Sequence, residues 1–600
     1  MSNRLGWLTL SLSVGAAALI AIPVLGQDRP ESILPPGFGE APAPLPRRAD
    51  PEPVAAKPSP EAPSPTLAAG AVPAEAVEAD PASTRDENAP TSIAELIDLP
   101  PQARRPTNRV GLLSARDGDM GPAAFSGVNG PYLTKLMRHI DAPIASRWAS
   151  IVLRRALLSR AQTPANVSDA DWAAERAWLL VRMGEATSAR DLVQAVDIDR
   201  YTPALYAFGM QAALASADPA ALCPMVSGVD RANRDTSWTL ARAICSAFSG
   251  DNSLSTAQLD RARSRRGDNS PDVLLAEKVV GAAQDTRRAV TINWDDIQRL
   301  DVWRYGMATA TGLAIPDRLI ESVDGRVRLW RAQAPMLPYA ARLTDAERAA
   351  ASGIFSSAAL VDFYAAAFAE QDPADQGNRL FDLLRDSYAA SDDDGRVSAM
   401  SRFWSQDLLG EWQGYARYVA TARAAARIVP SDDLADQAAP LMVSMFSAGL
   451  DRYALRWAPM AQDDVSWGLL AVGSPRPQGG VTQARIADFG AASSGDGDLR
   501  AQMLFAGLAA LGRIPAGDVA SMAENFDVPL TKQTKWSAAL DAAVRLKSPG
   551  AVAVLCAVGL QANRWSDIPP DHLFQIVSAL RRVGLEPEAR MIAVEAISRA

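Results

Sequence analysis

The sequence predicts an all-α protein. Helical hairpins stack as a repeat solenoid over residues 108–600, preceded by a signal peptide (1–26) and a disordered Pro/Ala/Glu-rich linker (27–107). Three observations carry this. Apolar residues recur at three- and four-residue spacing through most of the chain after Arg109. Glycines fall where those stretches must stop. No run of alternating Val, Ile and Thr between Asn-Gly or Asp-Gly turns asks for a sheet. The 600 residues are 48% hydrophobic and 22% charged, enough for several compact domains or one long array with a continuous core.

The chain opens on MSNRLGWLTLSLSVGAAALIAIPVLGQDRP. Arg4 is the positive end, Leu5 to Ile22 the apolar segment, and Pro23 breaks the helix before Val24-Leu25-Gly26, which predicts cleavage ahead of Gln27. The competing reading is an uncleaved anchor, because Leu5 to Leu25 approaches the roughly 20 residues that span a bilayer. No Cys follows the segment, which excludes a bacterial lipid anchor. Both readings place the remainder outside the cytoplasm: the periplasm of a Gram-negative bacterium, or an inner-membrane anchor facing it.

Residues 27–107 are Pro, Ala and Glu with almost no aromatics. Such a segment cannot bury enough apolar area to offset an ordering cost of roughly 1–2 kcal/mol per residue. Its prolines make it a semi-stiff spacer. Ile33, Leu34 and Phe38 in SILPPGFGE read as stray hydrophobes or a short docking motif.

In SDADWAAERAWLLVRMG (168–184), Ser168 is an N-cap and Asp171 completes a capping-box pattern. Ala174, Ala177, Trp178 and Val181 form one apolar stripe, which leaves Glu175 and Arg182 facing solvent. Gly184 stops the helix. SAGLDRYALRWAPMA (447–461) and RVGLEPEARMIAVEA (582–596) repeat the layout: a Gly (Gly449, Gly584), then Leu, an acid, and an Ala five residues past the Gly (Ala454, Ala589). Gly184 has Ala189 in that place. Gly184 and Gly250 lie 66 residues apart and Gly449 and Gly584 lie 135 apart, close to two and four periods of about 34 residues. The pattern resembles the tetratricopeptide repeat, where a Gly ends the first helix and a small Ala lets the second pack closely. The resemblance implies an α-solenoid with an extended binding surface; a compact α/α toroid is the competing arrangement. Breaks are expected at 264–272, 389–397 and 472–482, as interhelical loops or domain boundaries.

Net charge is −9, so no global positive field exists to bind nucleic acid. The basic residues are nearly all Arg, read as a mark of GC-rich coding. The two histidines, His139 and His572, sit in no motif, and neither a metal site, a Ser-His-Asp triad nor a phosphate loop is indicated. No cofactor is expected. Carboxylate chemistry needs no His, but most of the acid clusters at Asp295-Asp296, Asp392-Asp393-Asp394, Asp432-Asp433 and Asp463-Asp464 are expected at helix starts, where acids cap. Glu321-Ser322 lacks the motif that surrounds the catalytic Glu of lytic transglycosylases.

Two aromatic clusters are the candidate binding surface: Trp294, Trp303 and Tyr305, and Trp404, Glu411, Trp412 and Tyr415, the latter expected along one helix over 402–419. The plainer reading of both is inter-helix packing. Cys223 and Cys245 flank a turn between consecutive helices and are expected to form a disulfide in an oxidising compartment, leaving Cys556 as a buried thiol. The function expected is a non-enzymatic envelope scaffold or binding protein for a protein or polysaccharide partner, touching membrane only through an uncleaved N-terminus. The alternative is a carboxylate-based enzyme acting on envelope glycan.

Overall fold

The computed structural model describes residues 103–600 apart from 142, 230–234, 286–289, 324, 371–378, 405–408 and 477–478. The export segment and the linker through 102 lie outside the described residues. Among those described, helix follows helix from Gly130–Arg138 to Glu586–Arg599 with no strand, only isolated bridges between Asn129 and Ala165 and between Ile144 and Gln561. No helix of the described residues is long and apolar enough to cross a membrane. The last residues assigned to the linker are already pinned: Arg105 Nε donates to Asp197 Oδ1 at 2.7 Å and its Nη1 to the Gln194 carbonyl at 2.7 Å.

The glycine stops form as expected. Gly184, Gly449 and Gly584 have φ of +90°, +74° and +87°, a region that a Cβ disfavours. The amide after each reaches back five residues, Glu185 to Leu180, Leu450 to Met445 and Leu585 to Leu580, all at 2.9 Å, which satisfies carbonyls the helix leaves open. Ala189, Ala454 and Ala589 are all fully buried. The layout is not uniform, however. Gly584 leads into the long helix Glu586–Arg599, whereas Gly449 leads only into the four-residue helix Asp451–Ala454 and a 3-10 turn. Each of the three expected breaks falls between two helices that pack on one another.

A stack in which each hairpin touches only its neighbours would keep its ends apart. Here they meet. The helix Arg147–Leu158, close to the N-terminal edge of the described region, packs against Pro549–Gly559 and Glu586–Arg599. Ala145 N donates to the Leu560 carbonyl at 2.9 Å and Ala562 N to the Pro143 carbonyl at 3.0 Å. Glu595 caps the Arg147–Leu158 helix from across the sequence, accepting from Ser146 Oγ at 2.7 Å and from Arg147 N at 2.8 Å. This helix is the hub of the fold.

Buried arginines do the work of C-caps. Arg147 Nε donates to the Ser447 carbonyl at 3.2 Å, and its Nη1 to the carbonyls of Ala350 and Phe355; Ser447 ends one helix and Ala350 lies in the last turn of another. Arg176 spans the carbonyls of Leu157 and Ser159 at the hub helix's own end, and that of Val110. Arg342 reaches Ala332, and Arg500 reaches Ser598. The planar fork fits paired carbonyls and its charge suits the negative end of a helix. Burial pushes Arg147 down to about 10 and Arg176 to about 9, so both stay charged at neutral pH.

Glu175 corrects the amphipathic reading. It is buried rather than solvent-facing, because the helix Gly130–Arg138 covers that face and Arg138 Nε donates to Glu175 Oε2 at 3.1 Å. Arg182 is likewise covered at its side chain.

Cys223 and Cys245 are bonded, with Cα atoms 5.3 Å apart, and Cys556 is a buried free thiol. The bond closes a loop of sequence separation 22. A Cys223→Ala/Cys245→Ala variant is therefore expected to lose about 3 kcal/mol on the chain-entropy account. Urea unfolding of the oxidised parent and the variant checks it, and equal midpoints would refute it.

Candidate functional site

A cleft of about 600 Å³ opens where segments distant in sequence converge. Its walls carry five arginines, Arg182, Arg326, Arg348, Arg564 and Arg599, against three acids, Asp141, Glu411 and Asp567. In a chain of net charge −9 this is a local inversion of sign, and a low-dielectric wall focuses such a field.

Each arginine arrives on a different element. Arg182 ends the helix Asp169–Arg182 and caps the Gly130–Arg138 helix, donating to the Met137 carbonyl at 3.2 Å and also to that of Ile140 and to Asp141. Arg326 begins the short helix Arg326–Ala332. Arg348, on Leu343–Ala351, lies with its guanidinium carbon 5.5 Å from the ring centre of Trp412. Gly325 leaves room for it: a Cβ there would stand 2.9 Å from Arg348 Nη2. Arg564, in the loop before a 3-10 turn, pairs with Glu411 at 3.3 Å across the rim.

Arg599 is set into the wall from behind. Its Nη1 donates to Glu595 Oε1 at 2.6 Å and to the Ala145 carbonyl at 3.1 Å, and its guanidinium lies 4.3 Å over the Tyr415 ring. The same Glu595 caps the hub helix, so the closure of the fold and the charge of the cleft share one carboxylate.

Of the candidate binding residues, Glu411 and Trp412 line the cleft. The rest do not present a surface. Trp303, Tyr305, Trp404 and Tyr415 are buried at 3%, 0%, 0% and 2% exposure, and Trp294 is half-buried against the core. Trp404 stacks on Tyr418 with ring centres 4.7 Å apart, and its Nε1 donates to Thr421 Oγ1 at 2.7 Å. Nor is there one helix over 402–419: one ends at Trp404 and the next begins at Trp412.

His139 and His572 each bond a backbone carbonyl, Lys135 and Gly559. Asp463 caps a helix, accepting from Ser466 N at 2.8 Å, and Asp392 does the same for Gly395 N at 2.7 Å. No cluster of His, Cys, Asp or Glu able to hold a metal occurs among the described residues.

The acids raised by burial stand away from the cleft lining: Glu185, Glu347, Asp345 and Asp301. Burial, with Asp272 beside it, pushes the Asp301 carboxyl up to about 6. The folded state therefore holds a proton that the unfolded chain releases, and stability falls as pH rises from about 4 to 6. Asp301 Oδ1 caps its helix by accepting from Arg304 N at 2.8 Å, which an Asn retains. Asp301→Asn is expected to add about 1–2 kcal/mol at pH 7 and little at pH 4.5. Denaturant unfolding at the two pH values checks this.

The chain matches no protein-family model, no curated protein and no solved structure.

Proposed function

We propose that this chain is an exported, non-enzymatic binding protein of the cell envelope. It presents a helical-hairpin surface and receives an anionic group of its partner in the arginine-lined cleft. The observation that carries the reading is the sign inversion: five arginines from five separate elements meet around one cleft of an acidic chain. Guanidinium groups recognise planar anions by paired hydrogen bonds. The export segment read from residues 1–26 supports the location, as does the Cys223–Cys245 bond, since such bonds persist in oxidising compartments. The partner is an envelope protein or polysaccharide, with the anion as the recognised group.

The enzyme reading has one supporting feature, the presence of Glu411, Asp567 and Trp412 in the same cleft. A carboxylate mechanism needs one acid held protonated in an apolar pocket. Glu411 instead pairs with Arg564 at 3.3 Å with 44% of its side chain exposed, so no apolar pocket encloses it.

The test is retention of the purified protein on immobilised polygalacturonate and polyglutamate, with neutral dextran as control. The expected result is retention on at least one polyanion and none on dextran. Elution should follow salt, with the Arg326→Gln/Arg348→Gln variant eluting earlier. Equal behaviour of variant and parent, or retention on dextran alone, would overturn the reading.

A further inference from the structure

We infer that the face carrying Met336 and Tyr339 docks the apolar motif of this chain's own N-terminal segment, SILPPGFGE at 32–40. The loop APMLPYA (334–340) runs between the helices Arg326–Ala332 and Leu343–Ala351 and carries no charge. Met336 is 57% exposed and Tyr339 37%, with Pro335 and Pro338 exposed beside them. The uncharged turn TGLAIP (311–316) adjoins this loop, since a Cβ on Gly312 would stand 3.7 Å from the Met336 carbonyl oxygen. Neighbouring exposed apolar side chains of this kind mark a contact surface.

The platform is held from beneath. The Arg342 guanidinium carbon lies 4.5 Å from the Tyr339 ring centre and 5.0 Å from that of Phe363. Its Nε and Nη1 donate to the carbonyls of Leu337 at 3.0 Å and Ala332 at 2.8 Å, and Phe363 meets the Tyr339 ring edge-on at 4.9 Å. That guanidinium is thus used inward, and at the edge Glu370 accepts from Ala340 N at 3.1 Å. What the loop leaves exposed is apolar. A fixed aromatic ring flanked by proline suits an extended proline-containing segment, whose backbone is already close to its bound form.

The chain carries such a segment. Phe38 is the only aromatic residue between Gln27 and Gln102, and Leu34-Pro35-Pro36-Gly37-Phe38 sets it beside two prolines and a leucine. The motif lies outside the described residues. The 64 residues from 39 to 102 reach at most roughly 200 Å when extended, enough to bring the motif to any face of the folded part. Attachment also raises its local concentration above that of a separate molecule bearing the same sequence.

Anisotropy titration of a fluorescein-labelled SILPPGFGE peptide into the purified full chain tests the inference. Phe38→Ser disables the tethered motif without touching the folded part. The peptide is expected to bind that variant at least about tenfold tighter than the parent, whose own motif competes. Adding Tyr339→Ser should abolish binding, and Tyr339→Phe, which keeps the ring, should retain it. Thermal melts report folding; where Tyr339→Ser does not fold, Met336→Ser replaces it and should weaken binding. No binding to the Phe38→Ser chain would overturn the inference, as would binding that both surface variants leave unchanged. Equal binding to parent and Phe38→Ser would show the face unoccupied in the parent and overturn it too. Self-association of the parent in sedimentation, absent in Phe38→Ser, would give the face to a second copy and overturn docking within one chain.

Discussion

Arg147→Ala is expected to lower the unfolding free energy by about 3–5 kcal/mol, the range for removing one member of a buried charged network. The side chain is buried and its guanidinium donates to the Ser447, Ala350 and Phe355 carbonyls, so truncation takes a donor from all three, although Ala350 keeps the Gly353 amide at 3.0 Å. It also removes a cation from beside Glu595, whose carboxylate caps the hub helix. Arg147→Lys should recover less than half of the loss, since a single ammonium cannot follow carbonyls on two helices. Urea unfolding followed by circular dichroism at pH 7 measures both variants. A loss under about 1 kcal/mol for the Ala variant, the scale of one ordinary hydrogen bond, would refute the hub assignment.

Local structure was legible because it depends on neighbours in sequence. Ser168 accepts from Asp171 N, as its capping pattern demands, and Gly184, Gly449 and Gly584 stop helices because their conformation is cheap only for Gly. The Cys223–Cys245 bond was legible for the same reason: two helices joined by one turn must face each other. The limits appear where burial comes from a distant segment. Glu175 faces away from its own helix's apolar stripe, and only the Gly130–Arg138 helix, with Arg138, makes that face interior. The aromatic clusters failed similarly, since period alone does not separate a packed Trp404 from a cleft-lining Trp412.

The site itself left almost no trace in the sequence. Its arginines run from Arg182 to Arg599 with no common spacing, because five elements rather than one motif deliver them. The near-exclusive use of Arg over Lys has a physical consequence beyond codon supply. Arg176 and Arg342 show what the guanidinium contributes: a fork that closes helix ends inside the core. Once arginine is the interior cap, helix ends can meet far from water, and a cleft built at such a meeting is lined by arginine.

Trp330→Ala is expected to cost about 3–5 kcal/mol and to weaken the cleft as well. Trp330 is 1% exposed, packs its ring 5.5 Å from that of Tyr305, and donates from Nε1 to the Val181 carbonyl at 2.9 Å. That carbonyl lies one residue before Arg182, and Gln333 on the next turn donates to the Gly184 carbonyl two residues beyond. The helix Arg326–Ala332 thus holds the end of Asp169–Arg182 on both sides of the arginine it delivers to the cleft. Truncation opens a cavity the size of an indole and removes one of two donors to the Val181 carbonyl, which keeps the Gly184 amide, so the cavity carries most of the cost. Trp330→Phe keeps most of the volume and loses the donor, and is expected to cost about half as much. Hydrogen exchange separates a local effect from a global one. In Trp330→Ala the amides of Gly184 and Glu185, which bond back to Val181 and Leu180, should lose protection before those of the hub helix Arg147–Leu158. Simultaneous loss across both segments would mean that Trp330 supports the whole fold and has no particular hold on Arg182.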